Sequence, residues 1–335
     1  MTRRDGPAGV SKTLIYGIAI FANLLWAGAY VTGKIAIGTD GSAGFGPFRA
    51  AFFRFAAAGA VLALWGLVRA PESLRVRRED LPRFGRLALL GMCLTYVFNY
   101  TGLALTTGTS AALIMATEPV WIAVLAVLVL RERLTPTRGL GVLLGLGGAL
   151  LVIVSTTQPV NGADGSAAAS AAMLGNALIA ASLLWETSAV LTVKRLVARY
   201  PGPVIVTYEF LLGSLLLAPF AAWETAARGP IAPSPAAWGA FLYLLGPCTL
   251  FGYTVWFKLL EVADASELSV FIFLQPVAGT LMGVFLFRDP FTAVTALGAA
   301  LVLAGVGGIT RAGAAAKPAL RSVETSAEVV RPARE

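Results

Sequence analysis

The sequence predicts an all-α integral membrane protein, with ten transmembrane helices arranged as two inverted five-helix repeats. Three observations carry that prediction: a composition too apolar for a water-soluble domain, ten long apolar runs between turn signals, and an internal repeat. Of 335 residues, 57% are apolar and 13% charged, with a mean hydropathy of +0.77. A soluble domain is about a quarter charged. Because a transmembrane helix consumes about 20 apolar residues, this composition leaves room for eight to ten spans and for no sizeable soluble domain. Histidine is absent, which removes His-metal sites, His-based triads and imidazole proton relays together. Cys93 and Cys248 lie inside apolar stretches and read as packed thiols. No cofactor or metal is expected.

In chain order the spans are 14–36, 47–68, 84–106, 109–130, 136–155, 172–193, 203–222, 236–258, 265–287 and 291–310. The first follows Arg3, Arg4 and Lys12 and contains Ala27-Gly28-Ala29, which has the form of a signal-peptide cleavage site. Its apolar run exceeds the roughly 7 to 15 residues of a signal peptide, so it reads as a retained helix. Of the 26 Lys and Arg residues, 21 fall on the side of the even-numbered loops and termini; Arg228 and Arg288 fall on the other side, and Lys34, Arg49 and Arg54 lie within the first two spans. Basic loops stay cytoplasmic, so both termini are expected inside a bacterial inner membrane. The net charge of +8 is then a product of topology, with anionic headgroups as its surface partner and no role for nucleic acid. The resulting organisation is a cytoplasmic segment 1–13, a first repeat 14–155, a periplasmic linker 156–171, a second repeat 172–310 and a disordered cytoplasmic tail 311–335.

The repeat is read at a spacing of 157 residues without gaps. It sets Tyr96 on Tyr253, Leu103 on Leu260, Pro119 on Pro276, Arg131-Glu132 on Arg288-Asp289, Thr135 on Thr292, Gly141 on Gly298 and Gly148 on Gly305. Weaker matches place Trp26 and Lys34 against Trp185 and Lys194, and Arg54-Phe55 opposite Glu209-Phe210 at an offset of 155. Five spans per half is an odd number, so the second half crosses the membrane in the opposite sense. Inverted repeats are the architecture of secondary transporters, because two halves related by an axis in the membrane plane can expose one central site to either face in turn.

Through both copies of this pattern, Pro119 with Leu130-Arg131-Glu132-Arg133-Leu134-Thr135 and Pro276 with Phe287-Arg288-Asp289-Pro290-Phe291-Thr292, the chain resembles the drug/metabolite transporter superfamily and, within it, the ten-helix EamA-type exporters. The resemblance covers about 14 to 310. The family usually has Gly before the acid and Glu as the acid; here Arg131, Arg288 and Asp289 depart from that. These departures leave the fold untouched and mark the pattern as structural. The resemblance implies export of amino acids or related metabolites, with drug-like compounds next.

Ionisable residues inside spans are costly and mark candidate functional sites. Five qualify: Lys34, Arg54, Glu118, Glu186 and Glu209. Lys34 sits near the outer end of its helix, where it serves as a snorkelling anchor or in substrate entry. Arg54 and Glu118 fall roughly 10 and 14 Å below the outer surface, and Glu186 and Glu209 roughly 10 Å above the inner one. The first two are positioned to pair. The second two lack a basic residue at their level, and like charges close together in low dielectric cannot both stay ionised without a cation or proton. Glu118-Pro119 and Gln275-Pro276 suggest helix breaks that free backbone carbonyls at mid-membrane. Polar and aromatic stripes (Asn23, Trp26, Tyr30, Lys34; Thr95, Asn99, Gly102, Thr106; Ser182, Trp185, Glu186; Thr249, Tyr253, Trp256) have the spacing of helix faces that line a cavity or a helix contact, and Trp26, Trp185 and Tyr96 sit too deep for an interfacial aromatic belt. Gly141 and Gly145, and Ala300, Ala304 and Gly308, have the small-xxx-small spacing of packing faces.

The expected function is a secondary active exporter of small metabolites such as amino acids or amphipathic amines, coupled to protons, with a multidrug-type carrier as the alternative and a non-transporting scaffold or sensor behind it. An enzyme is not expected, since no span carries a nucleophile with its base. The expected partners are a small-molecule substrate and the lipid bilayer, with the chain acting as a monomer or a homodimer.

Overall fold

A computed structural model describes residues 12–38, 43–69, 71–118, 120–121, 124–125, 136–155, 165–197, 199–262, 271, 274–289 and 291–308. Every regular element among them is helical. The first span is α1 (Lys12–Ala27) and α2 (Ala29–Ile37), interrupted at Gly28, and the second is α3 (Pro47–Arg69). The third runs from α4 (Leu81–Leu87) through a π-helical stretch (Ala88–Leu94) into α5 (Thr95–Leu105). Then come α6 (Gly108–Met115), α7 (Pro136–Ser155), α8 (Gly165–Leu196) and α9 (Gly202–Arg228). The eighth span repeats the form of the third: α10 (Pro235–Tyr243), a π-helical stretch (Leu244–Phe251) and α11 (Gly252–Val262). Next are α12 (Leu274–Phe287) and α13 (Ala293–Gly308). Six of these runs are long and apolar enough to cross a membrane, and three shorter ones are equally apolar. The sixth helix begins at Gly165, inside the stretch 156–171 assigned to a linker. Residues 1–11, Pro119, Arg131-Glu132 and the tail from 309 lie outside the described residues. Outward faces carry Leu64, Val68, Leu143, Leu215, Phe285 and Leu286, an apolar belt suited to acyl chains.

The two halves are related by a two-fold axis, and their equivalent helices run antiparallel. Gly141 is the repeat mate of Gly298, and Gly148 of Gly305. A Cβ on Gly148 would lie 2.6 Å from the Gly298 carbonyl oxygen, and one on Gly305 would lie 2.5 Å from that of Gly141. Each member of one pair thus meets a member of the other, with the order reversed along α13, which is the signature of an isologous, inverted contact. The same relation holds for α3 and α9, where Arg49 meets Glu224 and Gly59 lies against Leu211. It holds again for α6 and α12, where a Cβ on Gly279 would be 3.0 Å from that of Ala112. Near the axis the rings of Phe55 and Phe210 sit 5.2 Å apart. Phe55 also meets Tyr96 as its mate Phe210 meets Tyr253.

The small-residue face of α13 expected to pack between halves or between protomers is not the face that meets the other half. Ala300 and Ala304 are exposed, and the packed face of α13 is Gly298, Val302 and Gly305. Ala300 and Ala304 are two residues out of phase with that face, about 200° round the helix.

Acidic side chains seal the helix ends. The Asp289 carboxylate accepts the Thr109 N–H at 2.9 Å, capping the N-terminus of α6. Buried Glu224 accepts the N–H groups of Phe48 and Arg49 at the start of α3, in space that Gly46 (φ +83°) leaves free of a side chain. Asp80, fully covered, ties the α3–α4 connection to the α8–α9 connection through Arg199 at 3.0 Å and Tyr200 at 2.9 Å, with Arg83 as a third partner. Lys34 donates to the Thr106 carbonyl at 2.6 Å, at the C-terminal end of α5, where a cation is favoured.

Arg288, in the position where the resembling family usually has Gly, adopts φ +54°. That left-handed conformation costs a non-Gly residue roughly 1–2 kcal/mol. Replacing Arg288 by Gly is expected to raise the detergent-solubilised Tm by an amount corresponding to about 1 kcal/mol. Gly148→Ala is expected to lower Tm by about 1–3 kcal/mol of overpacking. Gly147→Ala, with nothing within 4 Å of its Cβ, is expected to leave it unchanged.

Candidate functional site

A cavity of about 280 Å³ opens between the halves. The first span supplies Trp26, Ala29 and Tyr30; α3 supplies Arg54; α5 supplies Thr95, Tyr96, Asn99, Tyr100 and Leu103. Met115 and Glu118 come from the fourth span, Glu186 from α8, Tyr253 and Trp256 from α11, and Gln275 from α12.

The sequence dictates how these elements present their side chains. In the π-helical stretch of the third span, Thr95 Oγ1 donates to the Leu90 carbonyl five residues back; in that of the eighth, Thr249 Oγ1 donates to Leu244. Pro247, which has no N–H to give, lies in the second stretch. The widened turn leaves the Cys248 carbonyl to accept Trp26 Nε1 at 2.8 Å. This fixes the indole edge-on to Tyr253 and Trp256, with centroids at 5.8 and 5.6 Å. Opposite, the break at Gly28 gives the Leu25 carbonyl two donors from the eighth span, Tyr243 OH at 2.8 Å and Cys248 Sγ at 3.3 Å. Any Cβ on Gly28 would come within 2.8 Å of that Tyr243 hydroxyl. Interrupted helices of this kind recur at functional sites because they release backbone polar groups.

In the fourth span, α6 ends at Met115, Ala116 and Thr117 form a turn, and helix resumes at Glu118. Thr117 returns both its N–H and its hydroxyl to the Ile114 carbonyl, at 3.0 and 2.6 Å. The chain is therefore interrupted just before Pro119, which itself lies outside the described residues. As described, α12 starts at Leu274 and places Pro276 in its first turn, where proline is tolerated. Gln275 donates to Asn23 Oδ1 at 2.7 Å, joining the first and ninth spans.

Arg54 does not pair with Glu118, contrary to expectation. Its Nε donates to Thr249 Oγ1 at 2.8 Å and its Nη1 to Tyr100 OH at 3.0 Å. The guanidinium also lies over the Phe55 ring at 4.9 Å. A buried cation is held well by hydrogen bonds and an aromatic face, so Arg54 is satisfied without a carboxylate. No described residue donates a hydrogen bond to Glu118, Glu186 or Glu209, and Glu186 Oε2 is buried without a partner. Glu186 lies within electrostatic reach of both other carboxylates, and Tyr30 within reach of Glu186 and Glu118. Among the described residues the cavity thus presents uncompensated acid beside aromatic rings, with the Arg54 guanidinium engaged by Thr249 and Tyr100.

Of the expected site residues, Trp26, Tyr30, Arg54, Tyr96, Asn99, Glu118, Glu186, Tyr253, Trp256 and Gln275 meet at this cavity. Trp185 does not; its ring packs edge-on to Phe98 at 5.9 Å. Glu209 does not either, and lies instead against Gly91. The polar stripe of the third span divides. Thr95 and Asn99 reach the cavity, whereas Gly102 packs on Gly175 and Thr106 donates to Asn176. Thr95, Tyr100 and Met115 are lining residues that the sequence reading did not single out as site residues; the helical spacing of Tyr100 from Tyr96 was the available signal.

Together, the inverted repeats and the polar chamber between them define a polytopic membrane protein of the carrier type. The model of the EamA-like transporter family matches residues 13–154 and again 173–311, and the chain belongs to that family. It is 29% identical over 284 residues to an uncharacterized transporter of Archaeoglobus fulgidus, covering 84% of this chain and 92% of that protein. It is also 26% identical to the uncharacterized transporter YyaM of Bacillus subtilis, over 84% of this chain and 90% of the relative. One solved crystal structure shares the fold with a TM-score of 0.56 at 24% identity, covering 89% of this chain and 96% of the other.

Replacing Thr249 by Val removes the acceptor of a buried charged donor. A loss of about 1–3 kcal/mol of stability is expected, read as a lower Tm and as a shift in near-ultraviolet circular dichroism from the Tyr96–Tyr100 cluster.

Proposed function

We propose that the protein is a secondary active exporter of small amphipathic metabolites, amino acids or amines. It exposes the cavity alternately to the two faces of a bacterial inner membrane, has both termini in the cytoplasm, and is driven by inward proton flow. The observation that carries this reading is the set of carboxylates, Glu118 and Glu186 above all, facing a cavity walled by Trp26, Tyr30, Tyr96, Tyr253 and Trp256. Carboxylates that lack counter-ions in low dielectric hold either a proton or a cationic solute. Exclusive occupancy by one or the other is the simplest form of exchange. Aromatic walls favour an ammonium group and an apolar body on the same molecule. Rocking of one repeat against the other about the two-fold axis supplies the access change.

The test is a panel of amines and amino acids on proteoliposomes, with and without an imposed pH gradient. Accumulation of at least one solute should follow the gradient and collapse when the gradient is dissipated. Glu186→Gln should bring gradient-driven accumulation down to the level of empty vesicles. Movement of no panel member, or movement indifferent to the gradient, would refute the substrate class or the coupling respectively.

A further inference from the structure

The repeat puts Arg54 on α3 and Glu209 on α9 at equivalent positions. Each faces the π-helical stretch of the opposite half. Arg54 reaches the stretch of the second half at Thr249. The Glu209 carboxylate reaches the stretch of the first half, where a Cβ on Gly91 would come within 2.7 Å of Oε1. There the likeness stops. The partners that hold Arg54 are Thr249 and Tyr100, and their repeat mates are Met92 and Phe257, neither of which can donate a hydrogen bond. Arg54 is therefore anchored, and Glu209, at the mirrored site, receives no hydrogen bond from any described residue.

Glu209 lies outside the cavity lining but next to it. A Cβ on Gly91 would also sit 3.1 Å from that of Ala189, and Ala189 is one turn along α8 from Glu186 toward the inner surface. Two groups feel the Glu209 charge, Glu186 from α8 and Tyr253 from α11, and both line the cavity. Among the other described charged groups on the packed elements, Arg49 pairs with Glu224, Arg69 ends α3, and Arg195 and Lys258 are exposed; the groups nearer Glu209 are committed or displaced. Arg54 on α3 is held by Thr249 and Tyr100, and Cys93 on the π-helical stretch is a buried free thiol. Arg83 and Arg86 lie on α4, toward the inner surface, where Arg83 pairs with Asp80. Tyr208 on α9 itself donates to the Leu74 carbonyl at 2.9 Å.

From this placement we propose that Glu209 is a proton-binding carboxylate set behind the substrate cavity, exchanging its proton with Glu186 and never touching the substrate. The proposal rests on the proton-driven reading above and divides its labour: Glu118 and Glu186 meet the solute, and Glu209 meets only the proton. When Glu186 is ionised, a proton on a Glu209 oxygen passes to a Glu186 oxygen and leaves Glu209 as the carboxylate. No other reactant is consumed. Gly91 is part of the device, because without a Cβ it lets the carboxylate lie against the widened turn of the third span.

Infrared titration of the full chain in nanodiscs, following the carboxyl C=O and carboxylate bands, tests this without a known substrate. The wild type should show a protonated carboxyl band that disappears in Glu209→Gln, and the pH at which the Glu186 band converts should shift, because the charge that Glu209 carries once ionised is gone. In Gly91→Ala, which keeps the carboxylate, the Glu209 band should shift. Adding 2-phenylethylamine as a probe should leave the Glu209 band in place. A Glu209→Gln spectrum identical to that of the wild type overturns the proposal, as does an unmoved band in Gly91→Ala. If Glu209→Gln fails to fold, Gly91→Ala alone decides. The two readings fail separately: a titrating Glu209 in a protein whose transport ignores pH gradients refutes the coupling and leaves the proton site standing.

Discussion

The structure depends on one geometric constraint, a two-fold axis along which glycines let equivalent helices of the two halves touch. Gly141 and Gly148 on α7 meet Gly305 and Gly298 on α13 at distances that exclude any Cβ. In lipid, apolar burial drives helices together only weakly, and close backbone approach replaces it. The antiparallel order of these contacts forces the halves into opposite senses. Once that is fixed, α3 must lie on α9, α6 on α12, and the aromatic pair Phe55 and Phe210 near the axis. The cavity is what remains between the interrupted spans.

Within that frame the symmetry is broken where chemistry enters. Equivalent π-helical stretches in the third and eighth spans give each half the same widened turn, yet one receives a guanidinium and the other a carboxylate. Two-fold related groups of opposite charge do not cancel each other here, because they sit at different depths and contact different stretches. The cation is locked into the scaffold, so the acids supply the free charge in the chamber. A carrier built from two identical halves would have to double or omit each charge. Duplication followed by divergence lets one site anchor while its mate stays available.

Much of this was legible in the sequence, for a physical reason. Span positions follow from apolar length, and inversion follows from an odd helix count together with the basic loops. The repeat register was readable because Pro119 and Pro276, and the Arg-acid pairs, recur at a fixed spacing. The role of the Arg-acid pair could not be read, since it depends on Asp289 reaching the N-terminus of α6 from far along the chain. The sequence also suggested an Arg54–Glu118 pair from depth alone. Depth ignores azimuth, and Arg54 points toward Thr249 and Tyr100. Trp185 was misplaced for the same reason, as a neighbour of Glu186 in sequence lies about 100° away from it around the helix.

The acids of this protein separate by what surrounds them, and that separation bears on function more firmly than residue type does. Asp289, Glu224 and Asp80 sit at helix ends or loop connections and receive backbone N–H groups or arginines, so their charges are spent on holding the bundle. Glu118, Glu186 and Glu209 lie within spans and receive none from any described residue. A membrane protein under no demand for chemistry loses such groups, since each costs roughly 2.5–3.5 kcal/mol on insertion and neutral side chains pack as well. Two of them, Glu118 and Glu186, line the chamber, and Glu209 lies just outside its lining, while Arg54 is held by other partners; in the function proposed above these acids take an occupant that arrives from outside the fold. On that proposal the occupant is small enough for the chamber and positive enough to supply the counter-charge, a description that a proton and an ammonium group each satisfy in turn.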